Sequence, residues 1–256
     1  MVAQVWIIFL QLSSGASSGL NCEVVLSRGE GRKMPGTEKT QHISLTTQVE
    51  NGLKHQLSIG ALKPGARLIT KNIAQELGIS ITPVREALLR LVSSNALAVA
   101  PAQAFMVPEL SLERLVEINT IRTSLEEMAV EAAAGAITPE REQHLNMLLD
   151  KFAQALESGA MEDILLANRA FRFTIYQYAN MPTLCGMIEQ LWVRLGPSLH
   201  FLYEDFKLDG FQNGVELYRK LLSALVTGDK KVSRHCLQDV LQNNIAAIKH
   251  QYLGEI

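Results

Sequence analysis

Apolar residues recur at helical spacing through most of this chain. Leu45, Val49, Leu53 and Leu57 stand four apart, which predicts a first helix. Leu62-Lys63-Pro64-Gly65 follows as a turn. A second helix is expected from about Thr70 to Leu77, with Thr70 as its cap and Gly78 closing it. Ser80-Ile81-Thr82-Pro83 then opens a third helix. Ser80 or Thr82 can cap it, and the proline sits in the first turn, where a missing N–H costs little. Val84, Ala87, Leu88 and Leu91 form its inward face. Beyond Asn95 the period changes. Leu97–Ala100 and Phe105–Val107 read as two short strands around Pro101-Ala102-Gln103-Ala104. Helix, helix, turn, helix, hairpin is the order of a winged helix-turn-helix.

The rest reads as helix. Leu115, Ile118, Ile121, Leu125, Met128 and Ala132 predict one long stripe ending near Gly135. Thr138-Pro139-Glu140 starts the next helix with a cap, a proline and an acid. Further helices are expected through Ile164–Ile175, from near Pro182 to an interruption at Gly196-Pro197, through Val215–Leu225, and from Asp229 onward. The fold class expected is mainly α: an N-terminal winged helix-turn-helix, then an all-α bundle of about six helices. The expected division is a leader at 1–38, a DNA-binding domain at 39–108 and a sensing and dimerisation domain at 109–256.

Composition narrows the function. The 256 residues are 47% hydrophobic and 20% charged, which excludes a disordered chain. No apolar run approaches the ~20 residues of a membrane span. Cys22, Cys185 and Cys236 show neither disulfide nor metal-ligand spacing, so a cytoplasmic location is expected. In the leader, Val5–Leu10 is short for a secretory signal and no basic residue precedes Arg28. Residues 1–33 are expected to be an upstream extension, with Met34 as the start. Gly29-Glu30-Gly31 does not continue into a dinucleotide-binding loop.

The net charge of −2 hides an asymmetry. Residues 39–107 carry seven basic and three acidic side chains, +4, whereas residues 108–256 carry 14 and 20, −6. A polyanion would therefore dock on the first segment. A recognition helix presents its N-terminal residues to the major groove, so Ser80, Thr82 and Arg85 are the candidate contacts. Arginine can fork onto guanine, whereas Lys71 at the start of the second helix suits the phosphate backbone. Gln103 at the wing tip is the remaining candidate. The competing view is a helical domain in which Arg85 pairs with Glu86 or Glu76.

These residues carry a resemblance. Leu62-Lys63-Pro64-Gly65-Ala66-Arg67-Leu68, Ile73-Ala74-Gln75-Glu76-Leu77-Gly78-Ile79-Ser80 and Thr82-Pro83-Val84-Arg85-Glu86-Ala87-Leu88 together resemble the GntR family of bacterial transcription regulators. Arg122 with Leu125-Glu126, and Ala224 with Gly228-Asp229, resemble the ligand-sensing domain of its FadR-type branch. Within the branch, the chain looks most similar to enterobacterial regulators of colanic acid and biofilm formation. The resemblance implies a homodimer on an inverted-repeat operator, acting as a repressor and open to a small-molecule effector. Two departures alter the expected operator. Ile81 stands where the family has an arginine, and Gln103-Ala104 where its wing has arginine-glycine.

Many members of the branch hold a metal on Asp and His residues. The resemblance places those four positions at Asn168, Arg172, Tyr218 and Val240, none of them a good ligand, so no metal or other cofactor is expected. His42, His55, His144, His200, His235 and His250 show no ligand spacing. Asn168 and Arg172 lie four apart on one helix face, and Arg122 points inward in the resembling fold. Arg122, Asn168, Arg172 and Tyr218 are therefore the candidate effector site, two guanidiniums to hold a carboxylate beside two neutral hydrogen-bonding groups. Alternatively, Arg122 pairs with Glu126 and Arg172 reaches solvent or a buried acid. The rival functions are an enzyme, or a structural interaction protein, built on the helical segment with an accessory N-terminal part. No nucleophile with a base, acid/base pair or phosphate loop supports the enzyme, with Glu126 and Glu127 expected to be solvated or paired.

Overall fold

The computed structural model describes residues 43–101, 104–203 and 213–254, with side chains described except at 201–203 and 243–254. The leader, His42, Cys22, Gln103 and the His250 side chain lie outside the described residues. Helix α1 (Leu45–Ser58) begins at Ser44, whose hydroxyl accepts from the Thr47 N–H. A two-residue strand β1 (Arg67–Leu68) follows the Pro-Gly turn, then α2 (Thr70–Leu77) and α3 (Ile81–Ser93). The cap of α2 is Ile69, not Thr70, which is the first helical residue. Gly78 ends α2 at φ 65°, left-handed backbone that glycine adopts without strain.

Strands β2 (Ala98–Ala100) and β3 (Ala104–Met106) form the expected hairpin, Val99 facing Phe105. The sheet has a third member that two residues of sequence could not announce. β1 pairs antiparallel with β3, Leu68 opposite Phe105, so the order is β1-β3-β2. The core beneath it is built from Val49, Leu53 and Leu57 of α1, Val84, Leu88 and Leu91 of α3, and Phe105.

The bundle contains α4 (Leu112–Ala133), α5 (Pro139–Ser158), α6 (Met161–Tyr178), α7 (Pro182–Leu195), a 3-10 segment (Gly196–Tyr203), α8 (Gly214–Thr227) and α9 (Lys230–Gly254). Thr138 caps α5 through the Arg141 N–H, and Asp229 accepts from the Val232 N–H at the head of α9. Gly196-Pro197 tightens the backbone into the 3-10 segment. The predicted stripe on α4 holds at Leu115, Ile118 and Leu125 but fails at Ile121 and Met128. Leu115, Ile118, Arg122, Glu126, Ala129, Val130 and Ala133 are buried, whereas Ile121 and Met128 are exposed. The inward face carries two charged residues, which a hydrophobic periodicity cannot register.

The two parts share an interlocked seam. Val193 of α7 packs into the winged-helix core, and Ile59, just after α1, packs into the bundle core. Gly60 (φ 69°) lets the chain turn against the 3-10 segment, where His200 Nδ1 lies 2.9 Å from the Gly60 carbonyl oxygen.

Candidate nucleic-acid interface and buried charge cluster

The structure places Lys71, Ser80, Thr82 and Arg85 all at the solvent surface. Ser80 occupies the cap position of α3 with extended backbone, yet its hydroxyl makes no capping bond. The first N–H groups of α3 thus receive no bond from that hydroxyl, an arrangement suited to phosphate. Among the described residues Arg85 has no ion pair. Glu86 instead accepts from Thr46 Oγ1 at 2.9 Å, and Arg90 lies 3.3 Å from Glu50. These contacts tie α3 to α1, and Arg85 is exposed. Ile81, the first residue of α3, is about half exposed, an apolar side chain at the tip of the reading element.

In the bundle, Arg122, Asn168, Arg172 and Tyr218 are all buried. Glu126 of α4 lies fully buried at the centre of this cluster. Arg172 pairs with Glu126 Oε2 through Nη2, and its Nε donates to Tyr176 Oη at 3.0 Å. Trp192 Nε1 donates to Glu126 Oε1. Arg122 Nε lies 3.4 Å from the same oxygen but makes no hydrogen bond. Tyr218 donates to Asn168 Oδ1. The Trp192 ring lies near both cations, its centroid 5.3 Å from the Arg122 guanidinium carbon and 4.9 Å from that of Arg172.

The two arginines are not equivalent. Burial, with Arg172 beside it, lowers the Arg122 pKa although Glu126 opposes that. Burial also opposes the charge on Arg172, but Glu126, Tyr176 and Tyr218 outweigh it and raise its pKa. Burial pushes the Tyr218 phenol up to about 12, so it stays a neutral donor. One carboxylate thus serves two guanidiniums, and Arg172 holds the better share.

The alternative of a paired Arg122 and an Arg172 reaching a buried acid describes this geometry, and Glu126 is that acid. Tyr176 and Trp192 escaped the sequence reading. Tyr176 was within reach of it, four residues beyond Arg172 on the same face. Trp192 was not, because only folding brings α7 to α4. Val240 is buried in the bundle core. Among the described residues no three His, Cys, Asp or Glu side chains gather to hold a metal. His144 meets the Tyr178 hydroxyl at 2.8 Å, and His235 is exposed. Neither Cys185, which is buried, nor Cys236 forms a disulfide among the described residues. No described helix is long and apolar enough to cross a membrane.

Comparison with known proteins agrees with both halves. Residues 45–107 match the model for bacterial regulatory proteins of the gntR family, and residues 117–243 match the FCD domain. The chain is 60% identical over 219 residues to the HTH-type transcriptional regulator McbR of Escherichia coli K12, covering 86% of this chain and 99% of that protein. The solved structure of E. coli McbR/YncC superposes with a TM-score of 0.80 over 82% of this chain and 100% of the other. A GntR regulator from Rhodococcus sp. RHA1 shares the fold at TM-score 0.66 and 20% identity, covering 79% of this chain and 96% of its own. An exposed reading helix on a winged fold, joined to a helical FCD domain, places this chain in the GntR family of bacterial transcription regulators, in its FadR-type branch.

Proposed function

We propose that this DNA-binding regulator acts as a cytoplasmic homodimeric repressor on an inverted-repeat operator. Residues 39–108 serve as the reading head and residues 109–256 as the sensing and dimerising body. Two heads related by a two-fold axis would enter successive major grooves, the geometry an inverted repeat presents. The observation that carries this reading is the exposed N-terminal turn of α3, where Ser80, Thr82 and Arg85 stand free of intramolecular partners among the described residues. Lys71 adds a backbone contact, and Gln103 is assigned to the wing.

The bundle cluster supports an acidic effector. Two buried guanidiniums share one carboxylate, which leaves a net positive charge and the Arg122 Nε without a hydrogen-bond acceptor. A small carboxylate beside Arg122, with Asn168, Arg172 and Tyr218 around it, would neutralise that charge. Such a ligand alters operator affinity to the extent that it prefers one dimer geometry. The 60% identity to McbR and the sequence resemblance extend the proposal to control of biofilm or exopolysaccharide genes.

The test is a binding titration on the DNA upstream of the protein's own gene, at several salt concentrations. Repression at an inverted repeat predicts one dimer per site and a steep loss of affinity with salt. Arg85→Ala should abolish discrimination against unrelated DNA. Equal affinity for both DNAs in the unmodified protein would sink the reading.

A further inference from the structure

Helix α7 is buried in two cores at once. Trp192 packs in the bundle core, and its sequence neighbour Val193 packs in the winged-helix core. The Trp192 indole N–H donates to Glu126 Oε1, and its ring meets Phe173 of α6 edge-on, centroids 5.2 Å apart. Further along α7, Leu195 packs on Leu115 and Ile118 of α4. Gly196 then lies against the backbone of Leu57 and Ser58 at the end of α1. Close-packed neighbours leave no slack, so a roll of α7 about Trp192 displaces Val193 and the end of α1 with it.

Helix α1 passes this constraint to α3. Val49 and Leu53 share a core with Val84, Leu88 and Leu91 of α3. Two polar contacts add direction to that packing. The buried Thr46 donates through Oγ1 to Glu86 at 2.9 Å, and Glu50 pairs with Arg90 at 3.3 Å. Thr46 and Glu50 stand about one turn apart on α1, as Glu86 and Arg90 do on α3, so the two helices are held at two points. Glu86 adjoins Arg85 in sequence. Packed side chains and hydrogen bonds therefore run without a gap from Glu126, at the centre of the bundle cluster, to the residue beside Arg85.

We propose that Glu126 and Trp192 are positioning residues for operator reading. Their buried hydrogen bond sets α7, α7 sets the end of α1, and α1 sets the angle at which α3 presents Arg85. Without the indole, Glu126 Oε1 is left with the Arg122 Nε, 3.4 Å away and not hydrogen-bonded. A buried acceptor then goes unmet, and the carboxylate re-aims. Forked contact of an arginine with a base edge is sensitive to such a turn, whereas contacts to phosphates carry no sequence information and tolerate it. Coupling of this kind is reciprocal, so operator binding at α3 must in turn alter the surroundings of Trp192. The proposal rests on the reading role of α3 and needs no effector in the cluster.

The experiment uses the full chain carrying Trp6→Phe, which leaves Trp192 as its sole indole. The probes are a duplex that this protein selects from random DNA and one that the selection rejects. Saturation with the selected duplex, followed by the anisotropy of a labelled strand, should shift the Trp192 emission. Trp192→Phe keeps an aromatic ring but loses the bond to Glu126. It should weaken the selected duplex about fivefold or more and leave the rejected duplex unchanged. Val193→Ala loosens the next contact along α7, so adding it to Trp192→Phe should cost less than the two losses summed. Leu145→Ala, in the bundle core on α5, controls for lost stability and should lower the unfolding midpoint while keeping the selectivity. Four results overturn the proposal: constant Trp192 emission at saturation, equal losses for both duplexes in Trp192→Phe, additive losses in the double variant, or the same drop in selectivity in Leu145→Ala. If no duplex can be selected, the reading of α3 falls and this proposal with it.

Discussion

Gly196 lies against the backbone of Leu57 with no room for a side chain. A Cβ at 196 would come within 2.7 Å of the Ser58 Cα and closer still to the Leu57 carbonyl oxygen. The clash is with backbone, which cannot rotate away. This contact joins the end of α1, in the winged-helix part, to the end of α7, in the bundle. Trp192, four residues earlier on α7, bonds the buried Glu126. A single helix therefore touches both the charge cluster and the head.

Gly196→Ala should separate this joint. Overpacking a filled site costs about 1–3 kcal/mol, and an immovable backbone neighbour favours the upper part of that range. Chemical denaturation should show the loss. An unchanged midpoint would mean that the seam is looser than described.

The two cluster arginines should respond differently to neutralisation. Arg172→Gln leaves Glu126 with its weaker partner and should cost on the order of 3 kcal/mol. Arg122→Gln removes the surplus charge and should cost far less. Glu126→Gln should be as severe as Arg172→Gln, and the double variant should lose less than the two singles added, with a coupling of about 1–3 kcal/mol. Additive losses in denaturant titrations would refute the shared-carboxylate account.

His55 should give the protein an acid-sensitive step. Its folded pKa of about 4 lies below the ordinary 6.5, because burial and the neighbouring Arg169 disfavour the charged ring. Above pH 6.5 the ring is neutral in both states and contributes nothing. Between pH 6.5 and 4 the unfolded chain takes up a proton that the folded chain refuses, so stability falls as pH falls. Below about pH 4 the loss levels off, at roughly 3 kcal/mol in total. His55→Gln should flatten that part of the stability–pH curve, and a parallel curve would exclude the effect.

Ile81 should shape the operator. An exposed aliphatic side chain at the tip of α3 suits a thymine methyl, whereas an arginine there would fork onto guanine. Selection of binding sites from random DNA should show the position opposite residue 81 shifting toward G·C in Ile81→Arg, by about 1–3 kcal/mol of discrimination. Lys71→Ala should instead weaken all sequences alike and lower the salt slope by about one. An identical selected motif for Ile81→Arg would remove Ile81 from the groove.

The helices were legible because their signals are local. Ser44, Thr138 and Asp229 cap through their own side chains, Pro139 and Pro182 sit in first turns, and Gly78, Gly159 and Gly228 close helices in left-handed backbone. Each depends on neighbours within a few residues, so the chain by itself determined the order of the helices, the hairpin and the outward reading turn of α3. Errors arose where a longer range decides. Thr70 lost the cap to Ile69 because the chain enters α2 from β1, whose pairing with β3 is set some forty residues away. The α4 stripe failed at Ile121 and Met128 because Arg122 and Glu126 go inward, which their polarity argues against.

Only the tertiary structure decided where those charges could go. A buried glutamate is tolerable when two guanidiniums and an indole N–H surround it, and they come from α4, α6 and α7. The same holds for the seam. Ile59 and Val193 look like ordinary apolar residues in sequence, yet each fills the other domain's core. Local geometry is written in backbone dihedrals and nearby hydrogen bonds, which sequence spells out directly. The partner of a buried charge, or of a side chain crossing a seam, is chosen by packing among distant segments.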